Sequence, residues 1–355
     1  MNVLSTIFYI ALAVVVLLLM VLIHEFGHYI VGRLLNFKIT EFSVGFGKAI
    51  FSKVNKRGEK ISLRIFPLGG FCAFKGEDNE ENPDDPENFN NQKPWKRLLV
   101  YIAGASFNII SAVLFSFILL LSFGYDIPEV VKIDDRYVYA EQFKEGDVIY
   151  KVNDDKIGLL QDNSFSELIQ KYDKGEDITF TVKRDGKLIE VTTRLTHAFD
   201  NDNKLIFDED GNPVLKLGIT TKAHAFSFGE ALLRCVPFTL GLVWMVIKSL
   251  WLLVTFQIPI TQIGGPLTTI SIIANQTAQN GLATLLFLIP LIAANLGVFN
   301  LLPFPALDGS HVLFTTIEWI RKKPINRKVE SIIHFVGLLL LFGFVIVVDI
   351  IHFVV

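Results

Sequence analysis

Two histidines and a glutamate, in the run His24-Glu25-Phe26-Gly27-His28, close the first apolar stretch of this chain. On a helix, positions i and i+4 share a face, so both imidazoles can reach one metal ion. Glu25 sits beside them and can take a proton from a water that such a metal activates. Ionisable groups at the end of a membrane run are costly without a task. An interfacial polar cluster is the plain alternative, and the weaker one. Zinc needs a third protein ligand and one open position. The local sequence does not supply that ligand. A third histidine at metalloprotease spacing would fall on Leu34, and Glu41 is too near, in a strand pattern.

A distant stretch does better. Asn300-Leu301-Leu302-Pro303-Phe304-Pro305-Ala306-Leu307-Asp308-Gly309 ends the third apolar run. Pro303 and Pro305 break the helix, which leaves Asp308 on irregular backbone at the same boundary as His24 and His28. A turn or helix N-cap role is the alternative for Asp308.

These residues need a membrane to hold them. Of the 355 residues, 51% are hydrophobic and only 19% charged, against about 25% charged in a soluble protein. Mean hydropathy is +0.45. Such values exclude a disordered chain and a coiled coil, and argue against an ordinary soluble enzyme. A net charge of −3 gives no footprint for nucleic acid. Cys72 and Cys235 stand far apart, so no disulfide framework or zinc ribbon is expected.

Four apolar runs, at residues 3–23, 98–123, 282–302 and 331–355, are long enough to span. The first has no basic n-region and no cleavage site, so it reads as retained. A fifth, residues 228–258, holds Glu230, Arg234 and Lys248, with Trp244, Lys248 and Trp251 on one helical face. Trp and Lys together favour the boundary, so this helix is expected to lie in the interface. Basic residues crowd 33–97 and 321–328, which marks both segments as cytoplasmic. Both ends and residues 124–225 then lie outside.

Residues 124–225 read as a small domain. Val148-Ile149-Tyr150-Lys151-Val152 is a strand pattern, and Ser164 with Glu167 is a capping box for a short helix. Residues 178–184 and 187–194 alternate around Asp185-Gly186, a hairpin signal. On the cytoplasmic side, Phe42, Val44, Phe46, Ile61, Leu63 and Ile65 alternate between Gly45, Gly47 and Gly58. This predicts short strands that dip into the membrane. They form either a self-contained hairpin or an edge near Phe42–Phe46 that pairs with an extended substrate. Residues 77–87, acidic with Pro83 and Pro86, read as a linker. Gly104 and Asn108 are spaced for close helix packing. His197 and His224 are expected at solvent, His311 at the surface or beside the metal, and His334 and His352 at packing or interface positions.

The two motifs together resemble the site-2 protease family of intramembrane zinc metalloproteases. Gly45-Phe46-Gly47, Pro67-Leu68-Gly69-Gly70-Phe71 and Gly264-Gly265-Pro266 add to the likeness. The order Glu145-Gly146-Asp147, strand, helix and hairpin resembles a PDZ domain, so the chain is similar to the bacterial regulator of sigma-E protease (RseP) type. The resemblance implies zinc as cofactor, with His24, His28 and Asp308 as ligands and Glu25 as general base. It implies that Asn300 and the strand at Gly45, Phe46 and Gly47, with Phe42, hold the unwound substrate, and that Asn108 faces the site. It also implies single-span membrane-protein substrates after a prior cut, such as an anti-sigma factor or a remnant signal peptide. The setting would be the bacterial inner membrane, multi-pass, with the site near the cytoplasmic side. Departures from the family pattern are Ala105 after Gly104, Ser310 after Gly309, and a single PDZ-like unit.

The expected fold is a polytopic α-helical membrane protein. It has about four transmembrane helices, a membrane-associated β-hairpin region and an inserted extracytoplasmic PDZ-like domain. Its parts are 1–123, 124–225, 226–280 with the interfacial helix, and 281–355. A rival is a membrane-anchored PDZ-like adaptor with a closed, structural metal site. A metal transporter would want polar residues along the spans, and residues 3–23 and 338–348 have almost none.

Overall fold

The computed structural model describes residues 3–77, 84–125, 127–158, 164–172, 176–200, 202, 204–207, 211, 213–259 and 264–354. The helices are α1 (Val3–Leu34), α2 (Pro94–Ser122), α3 (Phe165–Lys171), α4 (Phe228–Val254), α5 (Pro266–Asn280), α6 (Leu282–Asn300), α7 (Asp308–Arg321) and α8 (Arg327–Val354). The strands are β1 (Ile39–Val54), β2 (Lys60–Phe74), β3 (Pro128–Ile133), β4 (Val148–Val152), β5 (Asp155–Lys156), β6 (Asp177–Arg184), β7 (Lys187–Arg194), β8 (Thr196–His197), β9 (Leu215–Lys216) and β10 (Ile219–Ala223). The chain divides into two compact units, Met1–Phe115 with Val243–Val355, and Ser116–Leu242. The acidic linker expected at 77–87 lies for the most part, at 78–83, outside the described residues.

Five described helices, α1, α2, α4, α6 and α8, are long and apolar enough to cross a membrane. Four of them match the strong runs. The fifth, α4, is the segment read from sequence as interfacial; at 27 residues it would extend ~40 Å, so its length also permits a crossing. Trp244 and Trp251 are exposed on it.

In the first unit α1 packs on α5, β2, β1 and α6. Its buried positions, Ala13, Val16, Met20, His24, Gly27, His28 and Gly32, step by threes and fours along one face. The packing stripe and the ligand pair are therefore the same stripe. At Gly297 of α6 a Cβ would come 2.7 Å from Ile109 and 3.2 Å from the Ala105 carbonyl, so α6 and α2 meet almost backbone to backbone. Phe37, Ile39, Phe74, Phe89, Val100 and Tyr101 make an aromatic-rich core at the root of the hairpin. Phe89 is its hub, with ring centroids 4.9 Å from Phe37, 5.0 Å from Phe74 and 5.3 Å from Tyr101.

The hairpin corrects one expectation. β1 and β2 bend back on themselves, so two strands act as four segments. Phe42 pairs with both Ile61 and Cys72, and Ser43 with both Ser62 and Phe71. Phe42–Val44 is therefore central in the sheet, with no free side to receive a substrate. The outer segments are residues 51–54 and 70–74. The bend is possible because Gly45 and Gly47 sit at φ +88° and +84°. Inside the sheet Arg64 Nη2 donates to Glu41 Oε1 at 2.6 Å and Arg64 Nε to Ser43 Oγ at 2.9 Å. Ile50, Phe51, Val54, Leu63, Ile65 and Phe66 remain exposed. A polar staple inside and an apolar outside suit a sheet seated in lipid.

A buried ion chain joins three helices. Arg97 of α2 pairs with Glu318 of α7; Arg327 of α8 lies 2.9 Å from Glu318 and 2.6 Å from Glu330. Arg97 and Arg327, counted from sequence as orientation charges, are thus also structural partners.

The second unit holds a sheet in the order β10-β3-β4-β6-β7, with β5 on β4. Its core includes Val130, Phe143, Ile149, Val152, Leu168, Ile178, Phe180 and Val182. The β6–β7 hairpin turns at Asp185 and Gly186, both at positive φ, as Asp-Gly predicts. Ser164 caps α3 and forms the reciprocal pair with Glu167. Residues 138–142 form a 3-10 turn. His224 is not free at solvent: its Nδ1 lies 2.7 Å from Glu129. Burial, the largest single effect, pushes Glu129 up, but His224 and Lys222 together outweigh it and hold the carboxyl below the usual range.

Candidate metal centre

His24 and His28 project from one face of α1, and Asp308 from the first position of α7. Asp308 does not cap that helix; Leu307 occupies the cap. Asp308 Oδ2 lies 3.0 Å from His24 Nε2 and 3.4 Å from His28 Nε2, and the two Nε2 atoms are 3.2 Å apart. Three ligand atoms each ~2.0–2.1 Å from a tetrahedral zinc stand ~3.3 Å from one another. The triangle already has those edges. Asp308 Oδ2 is buried and has no partner beyond the two imidazole nitrogens, an expensive state for a carboxylate oxygen unless a cation meets it. Burial opposes its ionisation, and the two imidazoles outweigh burial, so the carboxyl stays well below the usual range. Donor set, spacing and orphaned oxygen all fit zinc.

The imidazoles are oriented from behind. His28 Nδ1 donates to the Val100 carbonyl at 2.8 Å, which leaves its Nε2 lone pair for a metal. His24 Nδ1 meets the side-chain amides of Asn108, at 3.2 Å, and Asn300, at 3.4 Å. A metal on Nε2 places the His24 proton on Nδ1, which then needs an acceptor. Asn108 Oδ1 is buried and unpartnered, and a half-turn of that amide offers it.

Gly104 keeps the centre open. A Cβ there would lie 2.3 Å from His28 Nε2 and 2.8 Å from His24 Nε2, in the space a metal would take. Glu25 faces the outer segment of the hairpin. Its Cγ lies 3.1 Å from where a Gly70 Cβ would stand, and the main-chain N–H of Cys72 donates to its carboxylate. Thus the base, the ligand triangle and the outer side of the strand converge, with the Cys72 N–H taken by Glu25 and the Phe74 N–H by Glu77.

The structure gathers His24, Glu25, His28, Asp308, Asn108 and Asn300 in one place. The strand residues fare otherwise. Phe42 is buried against Tyr29, with ring centroids 5.3 Å apart, and serves the core. Gly45 and Gly47 make the bend, and Phe46 packs its ring on Gly69 and Phe71. Sequence reasoning missed the contact of Gly104 with the histidines. It also missed a stack of Tyr101, His311 and His334, with centroid spacings of 4.8 and 4.0 Å. The only advance signal for that stack was His311, one turn past Asp308.

A metal triangle with an adjacent carboxylate, its histidines on a membrane-length apolar helix, defines a membrane-embedded zinc metallopeptidase. A family model described as peptidase family M50 matches residues 12–344. The chain belongs to this family, the site-2 proteases. Relatives bear the name "Putative zinc metalloprotease". One from Clostridium perfringens is 31% identical, covering 96% of this chain and 97% of its own. One from Clostridium acetobutylicum is 29% identical over 97% and 96%, and one from Agrobacterium fabrum 28% over 95% and 93%.

Proposed function

We propose that the chain is an intramembrane endopeptidase that cuts within membrane-spanning helices. The observation that carries this is the convergence of the ligand triangle, Glu25 and the outer hairpin segment at Gly70–Phe74. His24, His28 and Asp308 would hold zinc, which when bound would supply a Lewis acid for the scissile carbonyl and for a water. Glu25 takes the proton from that water and delivers it to the leaving amine. Asn108, turned to present its side-chain oxygen, holds His24 in its ligating tautomer. A helical substrate hides its carbonyls in hydrogen bonds, so it must unwind first. Pairing along the outer side of residues 70–74, which no strand covers and where the Cys72 N–H already donates to Glu25, gives the extended form a place beside the base.

In this reading both chain ends and residues 124–225 face the outside of a bacterial inner membrane, and the metal centre lies near the cytoplasm. Residues 124–225 act as a PDZ-like screen. Substrates are single-span proteins, of anti-sigma factor or remnant signal peptide type, shortened by a prior cut. The adaptor reading requires a fourth protein ligand, and only three converge among the described residues.

The test is co-expression of a tagged single-span substrate with wild type or Glu25→Gln. Wild type should yield a fragment that disappears with a zinc chelator. Glu25→Gln should retain zinc and lose at least ~100-fold in rate. Full activity of that variant would sink the mechanism.

A further inference from the structure

Beside the metal centre, His311, Glu330 and His334 bring ligand atoms within 4.8 Å of one another. They do not make a second metal site. The two rings stack at 4.0 Å with 12° between their planes, so their in-plane lone pairs run side by side instead of converging. Nδ1 of His334 is also occupied: the main-chain N–H of Ala306 donates to it at 3.2 Å.

That hydrogen bond has a specific place. Ala306 stands two residues before Asp308, at φ +83°, in the left-handed region that a residue with a Cβ enters at a cost. Leu307 follows at φ −105° and α7 begins at Asp308. The direction in which Asp308 leaves the loop therefore depends on the Ala306 kink. α8 supports the kink twice. Gly337, one turn from His334, lets Pro305 approach until a Cβ there would be 2.3 Å away. His334 supplies the acceptor. The ring of His334 is held by His311, which is itself stacked on Tyr101 at 4.8 Å and 13°. Burial, with the neighbouring imidazole, pushes His311 down to about 4, so that ring stacks uncharged.

We propose that His334 is a positioning residue for the metal: its Nδ1 holds the Ala306 kink and thereby aims Asp308 at His24 and His28. The inference rests on Asp308 being a zinc ligand.

Two substitutions separate the acceptor from the ring. His334→Phe keeps the stack and loses the acceptor. His334→Asn loses the ring and keeps an oxygen at the Nδ1 position. Zinc affinity of the detergent-solubilised full chain is measured by chelator competition, with thermal unfolding of the metal-free protein as the fold control. His334→Phe should weaken zinc binding about 10–100-fold, the usual cost of losing an outer partner of a ligand. His334→Asn should stay near wild type. Both variants at wild-type affinity would overturn the proposal, and so would the reverse order, which would assign the role to the stack. If His334→Phe lowers the metal-free melting temperature, Ala306→Gly is added to it. Glycine accepts the left-handed kink unaided, so affinity should return; no recovery would overturn the proposal. Asp308→Ala separates this inference from its premise. If Asp308→Ala binds zinc normally, the ligand assignment fails. If it loses zinc while His334→Phe does not, only the positioning role fails.

Discussion

The two units treat buried polar groups in opposite ways. In Ser116–Leu242, buried Asp147 accepts two bonds from Arg184 and one from the Lys144 amide. Thr193 donates to the Tyr139 carbonyl, and Thr239 bonds within its helix and to Ser116. In the other unit, buried polar atoms of Arg97, Asn108, Thr277, Asp308, His311 and His334 lack hydrogen-bond partners. All six orphans among the described residues fall in that unit. Four of them, on Asn108, Asp308, His311 and His334, lie at the ligand triangle or in the stack beside it. A fold that only needed stability would satisfy them, as the second unit does. Unsatisfied groups gathered at one place mark chemistry; satisfied ones mark scaffold.

The contrast can be tested from both sides. The largest effect should come from filling the open centre. Gly104→Val would put side-chain carbon where the metal belongs, and zinc content by atomic absorption should fall to background with activity. Retention of zinc would show that the triangle can relocate. Next is the satisfied pair. Asp147→Ala strips a nearly inaccessible carboxylate from Arg184 and should destabilise the second unit by about 3 kcal/mol, the low end for breaking a buried pair, because Arg184 is partly exposed. Zinc content should not change, since none of the candidate ligands lies in that unit. The smallest effect tests the cap. Ser164→Ala removes one side of the capping box and should cost about 1 kcal/mol in thermal unfolding, without effect on zinc or cleavage.

The candidate ligands were legible because metal chemistry favours their spacing. Two imidazoles a helical turn apart share a face and can meet one metal, and Asp308 follows a proline-broken helix at the same boundary. The β6–β7 hairpin and the α3 cap were legible for a similar reason: Asp-Gly and Ser-x-x-Glu are local devices. The hairpin of the first unit was only half legible. Alternation showed strands, but periodicity is blind to a strand that bends at Gly45 and pairs on both sides, so the open segment was placed at Phe42 instead of at Gly70–Phe74. The roles of Gly104 and His334 were beyond local reading. One acts by having no side chain, and the other through a main-chain amide 28 residues away. Neither leaves a pattern in sequence.

The separation of the ligands has a consequence for biogenesis. His24 and His28 enter the membrane early, yet they meet Asp308 only after everything between has been synthesised and threaded, and the clamp from α8 comes later still. Contacts so distant along the chain form late and slowly. The centre is therefore assembled last, and the nascent protein passes through the insertion machinery, among the spans of its neighbours, without a working blade.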